Sequence, residues 1–300
     1  VTDVTGVVLP DGILSTTLAS SRIDWRHVRG RRLLLSSATA VEYVRLTTSG
    51  RTGPAVLIAE RPDGSEVELV VKFTAGCDLQ ETNLVREAIG ACLAADLALP
   101  VPEAFAVLLE PDFIEAVPDN TLRQRLRDSS PIAFGSKLMA SQFSLWSPAM
   151  GIPANMIPTA AAIFAFDAIT QNSDRRDINP NCKVRDVDLR IFDHELAFSH
   201  GLVLGWRPPW LPGGLRHLET PGAHIFRRGL LRRAIDFAPV RAAWSGLGDG
   251  QIAEYASALP VEWSAAHAAG AAATALISQA RDNIDACIIE IGRVLECPTN

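Results

Sequence analysis

The sequence predicts an α+β protein of two lobes, the first an antiparallel β-structure with one helix, the second mainly helical. Three observations carry that expectation. Residues 41–73 hold three short β-favouring runs separated by glycine-containing turns. Residues 80–97 place Leu84, Ala88, Ala91 and Ala95 at helical spacing. Beyond Pro158 helical texture dominates, broken by one polar loop and one short hairpin. At 300 residues the chain exceeds a typical domain of about 100–200 residues, which suits two lobes. A 48% hydrophobic and 21% charged composition suits a packed core.

Residues 1–40, with a Ser/Thr patch and a basic stretch at 22–32, read as an N-terminal extension. The first lobe is expected over 41–143. Its strands are 42–48, 55–59 and 67–73, joined by turns at 49–54 and 62–64. Helix 80–97 follows, stopped by Leu99-Pro100, then strand 103–109, a short helix at 119–128 and strand 134–140. The second lobe is expected over 144–300. It opens with an apolar helix carrying Pro158 in its first turn and ending near Thr170. A polar loop at 171–181 leads to strands 182–184 and 189–192, and helices are expected at about 222–236, 250–257 and 261–294.

Several function classes are disfavoured. A net charge of −6 does not suit a protein that neutralises nucleic-acid phosphates, so no direct nucleic-acid binding is expected. Cys77, Cys92, Cys182, Cys287 and Cys297 are odd in number and scattered, which points to free thiols in a reducing compartment. No stretch reaches the ~18 apolar residues of a membrane helix, the first residues lack a secretory pattern, and a cytoplasmic location is expected. The chain has no GxxxxGK[ST], no GxGxxG after a strand, no GxSxG and no HExxH. His194 and His200 near Glu195 therefore read as structural, and the arginines at 227, 228, 232 and 233 as a solvated helix face.

Four elements carry chemistry, and their order carries more than any one alone. The turn Ser49-Gly50-Arg51-Thr52-Gly53 has small residues that let backbone N–H groups approach an anion. Lys72 sets a cation within an apolar strand, and Glu87 on the next helix is placed to pair with it, with Glu81 as rival. Asp174-Arg175-Arg176-Asp177-Ile178-Asn179 then lies in a loop after a buried helix, and Asp193 ends a hairpin strand. Phosphoryl transfer needs a carboxylate to orient the attacking hydroxyl and oxygen ligands for Mg²⁺. Asp174 suits the first task, with Arg175 or Arg176 near the developing charge, and Asn179 with Asp193 suits the second.

The run Asp174-Arg-x-x-x-Asn179-Pro-Asn181, followed by a strand ending Phe192-Asp193-His194, resembles the HipA-like kinase family. The helix at 84–94, Leu99-Pro-Val-Pro and Gly135-Ser-Lys137 are similar to that family as well, so the resemblance spans roughly 41–200. It implies a protein-kinase-like bilobal fold, with Lys72 on ATP phosphates, Asp174 as catalytic aspartate, and Asn179 and Asp193 holding Mg²⁺. It also implies a toxin-like or regulatory kinase acting on Ser or Thr of a protein, with an unidentified substrate or cognate partner. Arg176 stands where the family often has histidine, and His194-Glu195 follows the metal aspartate. A lipid or small-molecule phosphotransferase, or a nucleotide-binding module without turnover, would use the same residues. Ser49 in the expected phosphate loop is a candidate for autophosphorylation, since phosphate there would repel ATP.

Overall fold

A computed structural model of the chain describes residues 35–47 and 50–297, all within one compact unit. Its architecture is α+β. Strands β1 (Ser36–Leu46), β2 (Ala55–Glu60) and β3 (Glu66–Lys72) form the expected antiparallel meander. β5 (Ile132–Lys137) pairs with β3 and then with β4 (Ala104–Leu108), both antiparallel. β4 returns to pair with β1 in parallel, which closes a five-stranded barrel instead of leaving an open sheet. Closure removes both sheet edges.

The pleat decides where Lys72 goes. Val67, Leu69, Val71 and Phe73 alternate into the barrel core with Leu57, Phe105 and Val107, so Lys72 points outward from the strand end. Helices α2 (Pro111–Ala116) and α3 (Asn120–Arg127) lie between β4 and β5 and send Phe113, Leu122 and Leu126 into the same core. Helix α1 (Glu81–Asp96) packs on β4 and β5, and also meets the 3₁₀ segment Val261–Ala266, α7 (Asp249–Ser257) and α8 (His267–Asp282). Tyr255 Oη donates to Asp96 Oδ2 (2.7 Å), and Trp263 Nε1 donates to the Ile132 carbonyl (2.9 Å). The β-rich and helical halves therefore share α1.

Helix α4 (Ile157–Thr170) is apolar on nearly every face and buried from Ala160 to Thr170 except at Ala162, as a helix without a polar side must be. Gln171 ends it in the left-handed region (φ 58°) and turns the chain into the polar loop. A small sheet, in the order β6 (Ser144–Leu145), β7 (Cys182–Arg185), β8 (Asp188–Ile191), follows that loop. Ile191 N–H donates to the Pro100 carbonyl (2.9 Å), so Leu99-Pro-Val-Pro anchors the strand that leads to Asp193.

Several expectations need correction. β1 starts at Ser36, so residues assigned to the extension belong to the barrel; the rest of that extension, 1–34, lies outside the described residues. The helix expected at 222–236 is a single turn, α5 (Arg227–Leu230). A Cβ at Gly229 would sit 2.5 Å from Ile152 Cδ1, and Arg232 has φ 57°. Close packing and a left-handed residue end the helix there. The arginines at 227, 228, 232 and 233 thus do not share one helix. The stretch 261–294 divides at Asn283 into α8 and α9 (Ile284–Leu295). α2 and α6 (Ala238–Ser245) were not anticipated, although each carries a proline in its first turn.

Candidate active site

Lys72 Nζ sits in a ring of three carboxylates. It donates to Glu87 Oε2 on α1 (2.9 Å), Asp193 Oδ1 (2.7 Å) and Glu195 Oε2 (3.0 Å). An ammonium has three donors, and all are committed. The carboxylate oxygens lie within 4.8 Å of one another, so one cation faces three acids. Burial drives the Lys72 ammonium down, but the carboxylates more than offset it and hold the pKa well above its ordinary value. Burial pushes Glu87 up to about 7 against the pull of Lys72. Asp193 is held low by Lys72 despite burial, and burial raises Glu195. Three acids thus share one ammonium, and burial raises two of them, so a further cation at the ring would favour their charged forms.

Backbone geometry presents these groups. Asp193 has φ 61°, a left-handed conformation that aspartate tolerates better than most residues. His194 N–H donates to Glu87 Oε2 (2.8 Å), which fixes the Asp193 loop to α1. The approach is close because α1 has Gly90 there: a Cβ would lie 2.5 Å from His194 Cβ.

Asp174 is a carboxylate with its acceptors largely engaged. Oδ2 receives Asn179 Nδ2 (2.7 Å) and Asn181 Nδ2 (2.9 Å), while Oδ1 receives Arg176 Nη2 (3.2 Å). Of the roughly four lone-pair positions on a carboxylate, one on Oδ1 stays open to a further donor. The charge of Asp174 acts on Glu195, so the loop and the Lys72 ring belong to one site.

Behind the loop lies a network closed at Arg175 and Asp167, with His194 Nε2 at its edge buried without a partner. The Arg175 guanidinium is 0% exposed and every one of its donors is used. Nε donates to Asp167 Oδ2 (2.6 Å), Nη2 to Asp167 Oδ1 (3.3 Å) and His194 Nδ1 (3.5 Å), and Nη1 to the carbonyls of Asn181 and, at 3.2 Å, Phe192. Asp167 also receives Asn172 Nδ2 (2.8 Å) and His224 Nε2 (3.0 Å), which fills all its acceptor positions. His224 Nδ1 accepts from Phe226 N–H, so Nε2 carries the proton. Burial raises the Asp167 carboxyl, yet Arg175 and His224 outweigh it and hold it at about 2. Burial and the neighbouring Arg175 press His194 down to about 3, so it is neutral.

The structure thus brings Lys72, Glu87 and Asp193 into contact and sets Asn179 on Asp174, while Arg176 reaches Asp174 from a more exposed position. Arg175, expected near the developing charge, points into the core instead. Of the anion-binding turn, Ser49 lies outside the described residues. Gly50 (φ 112°) and Gly53 (φ 57°) stand at the Lys72 end of the barrel, because Ala55 pairs with Val71. The Gly53 N–H closes on the Gly50 carbonyl (3.1 Å), so the amide expected to meet an anion is committed to the turn, and Arg125 Nη1 holds the Gly53 carbonyl (2.9 Å).

Sequence reasoning missed Asp167, Asn181 as a ligand of Asp174, and His224. Asp167 had a signal, a lone carboxylate inside an apolar helix. His224 had none. The all-oxygen donor set of Glu87, Asp193 and Glu195 fits a hard divalent cation such as Mg²⁺. No helix among the described residues is long and apolar enough to cross a membrane.

No curated protein matches the chain. Residues 44–204, more than half of the chain and the span from β1 through the Asp193 loop, match the family described as HipA-like kinase. With the lysine, the paired glutamate, the asparagine-bound aspartate and the strand-end aspartate all inside that span, the chain belongs to the HipA-like kinase family.

Proposed function

We propose that this chain is an ATP- and Mg²⁺-dependent kinase that passes the γ-phosphoryl group to a Ser or Thr hydroxyl of a protein. The observation that carries this reading is the charge imbalance at Lys72, one ammonium among three carboxylates, beside an aspartate with one open acceptor position. The barrel side, 36–143, is the nucleotide lobe of a kinase-like bilobal fold, and 144–300 is the catalytic lobe.

Bound Mg²⁺·ATP supplies the phosphoryl group and the cation that offsets its charge. Asp193 and Glu195, with Asn179, would hold Mg²⁺, and Lys72, kept in place by Glu87, would face the phosphates. Asp174 accepts a hydrogen bond from the incoming hydroxyl at Oδ1 and receives its proton, and Asn179 and Asn181 fix the angle of the carboxylate. Arg176, partly exposed beside Asp174, is the cation near the developing charge. Arg175 acts through position only: its Nη1 ties the carbonyls of Asn181 and Phe192, one from each loop of the site, to a single guanidinium.

The test is intact-mass measurement of the full chain with ATP and Mg²⁺, alone and with candidate protein acceptors, beside Asp174→Asn. Phosphate transferred by the wild type and at least about 10²-fold more slowly by the variant is the expected result. ATP that raises the melting temperature without transfer to any acceptor would replace this reading with a nucleotide-binding module. Transfer to a lipid head group or small molecule alone would correct the acceptor class.

A further inference from the structure

Helix α1 carries a second cation directly before Glu87, and it is treated quite differently from Lys72. Arg86 is 7% exposed, and its Nε and Nη1 are buried with no hydrogen-bond partner. Burial lowers the guanidinium, with no carboxylate among the described residues acting on it. The segment after Glu195 lies beside it. Asn83 Nδ2 reaches the Glu195 carbonyl (3.5 Å) and His194 N–H reaches Glu87, so α1 runs along the start of that segment. His200, further along, is depressed by burial and then by the Arg86 charge, and its Nδ1 is also buried without a partner. The His200 ring is held against Trp206 at 4.6 Å between centroids, and Trp206 Nε1 donates to Gln171 Oε1 (3.0 Å). From Leu196 to Leu218 the chain contains no Asp or Glu, so the segment has no acid of its own to offer Arg86.

A buried guanidinium without a counter-charge is strongly unfavourable, whereas the same group bound to an oxyanion satisfies both charge and donor geometry. A planar fork with two open donors matches the oxygens of a phosphate. We propose that Arg86, with His200, forms a second phosphate site, distinct from the Lys72 ring, between α1 and the segment that follows Glu195. Phosphate bound there joins the helix that presents Glu87 to the segment that follows Asp193, so the site bears on the catalytic geometry through two of its elements. The phosphate comes either from solution or from a monoester on Ser199, the residue preceding His200. The second source rests on the kinase reading above. The Ser199 Oγ–P bond forms as the bond from Pγ to the bridging oxygen of ATP breaks, ADP leaves with the electron pair, and the hydroxyl proton is released.

The experiment is the melting temperature of the unphosphorylated full chain in inorganic phosphate against chloride at matched ionic strength, for wild type, Lys72→Met and Arg86→Met. At phosphate tenfold above its Kd the expected rise is about 2 °C. It should be present in wild type and Lys72→Met and absent in Arg86→Met. The same rise in Arg86→Met overturns the proposal. Because Arg86→Met could fail to fold, tungstate, a phosphate analogue, is soaked into wild-type crystals. An anomalous peak within bonding distance of the Arg86 guanidinium supports the site, and a peak only at Lys72 overturns it. Intact mass after ATP and Mg²⁺, with Ser199→Ala as control, separates the sources. Phosphate on Ser199 together with a lost response to free phosphate assigns the monoester. A bare Ser199 with the response intact assigns dissolved phosphate and leaves the site standing even if the chain transfers no phosphoryl group.

Discussion

The Lys72 ring and the Asp167–Arg175–His224 network both bury ionised groups, yet they are built on opposite accounts of charge. Around Arg175 every donor has an acceptor and every lone pair of Asp167 has a donor. Around Lys72 three carboxylates crowd one ammonium. A balanced, fully enclosed network asks for nothing further and behaves as framework. An unbalanced cluster is stable only at a cost, and a ligand of the missing sign relieves it. The contrast separates two cations that the sequence places on equal terms: Lys72 sits in the unbalanced cluster that the proposed chemistry would use, and Arg175 in the enclosed framework behind it.

The comparison breaks most directly at Arg175. Arg175→Leu leaves Asp167 buried with half its donors gone, and a loss of about 3–5 kcal/mol in urea unfolding is expected. Removing both partners as Asp167→Leu with Arg175→Leu should recover part of it. A single-variant loss below about 1 kcal/mol would show that the network does not bear on the fold.

Acid should unravel the framework by a few kcal/mol through protonation of His194. Its folded pKa of about 3 lies below the ordinary 6.5, so between those values the unfolded chain holds a proton that the folded chain lacks. The His194 contribution is therefore full above pH 6.5 and declines as pH falls toward 3, while Glu87, raised to about 7, acts the other way between 7 and its ordinary 4.5, so the slope is read as the difference between wild type and variant. Asp167 acts in the same direction as His194 from 3.8 down to about 2. Unfolding midpoints from pH 7 to pH 4 check the slope, which should flatten in His194→Gln.

Gly90→Ala sharpens the link between the two regions, since its methyl would press on His194 Cβ at 2.5 Å. Overpacking of this kind costs about 1–3 kcal/mol, and the variant should lose transfer activity along with stability, measured by calorimetry and phosphoryl transfer together. A variant as stable and as active as wild type would mean the loop gives way freely. The smallest change is Glu195→Gln. Burial penalises its charged form, so neutralising it should stabilise the metal-free protein at pH 7 by at most about 1 kcal/mol and weaken the thermal response to Mg²⁺. An undiminished Mg²⁺ response would remove Glu195 from the metal site.

Much of the site was legible because its chemistry is written in local order. Lys72 lies in an apolar strand, Glu87 on the following helix, Asp174 and Asn179 in one loop and Asp193 at a strand end, and each can be seen within a short window. Asp167 was equally visible as a carboxylate amid Ile163, Phe164, Phe166 and Ile169, but its meaning depended on Arg175 turning inward. His224 and the parallel pairing of β1 with β4 left no local trace, since each joins residues more than fifty positions apart. The helix expected at 222–236 failed for a related reason. Its periodicity was adequate, and packing of Gly229 on Ile152 overrode it.

By itself the sequence determined the α+β class, the β-meander, the buried helix before the polar loop, and the identity and order of the groups on which phosphoryl transfer would rest. Tertiary structure decided which of those charges face one another. Propensity and periodicity act over a few residues and can be read along the chain, whereas charge balance is a sum over groups brought together from distant segments. Only folding sets Lys72 among three acids, closes Arg175 on Asp167, and leaves Nε and Nη1 of Arg86 without a partner among the described residues.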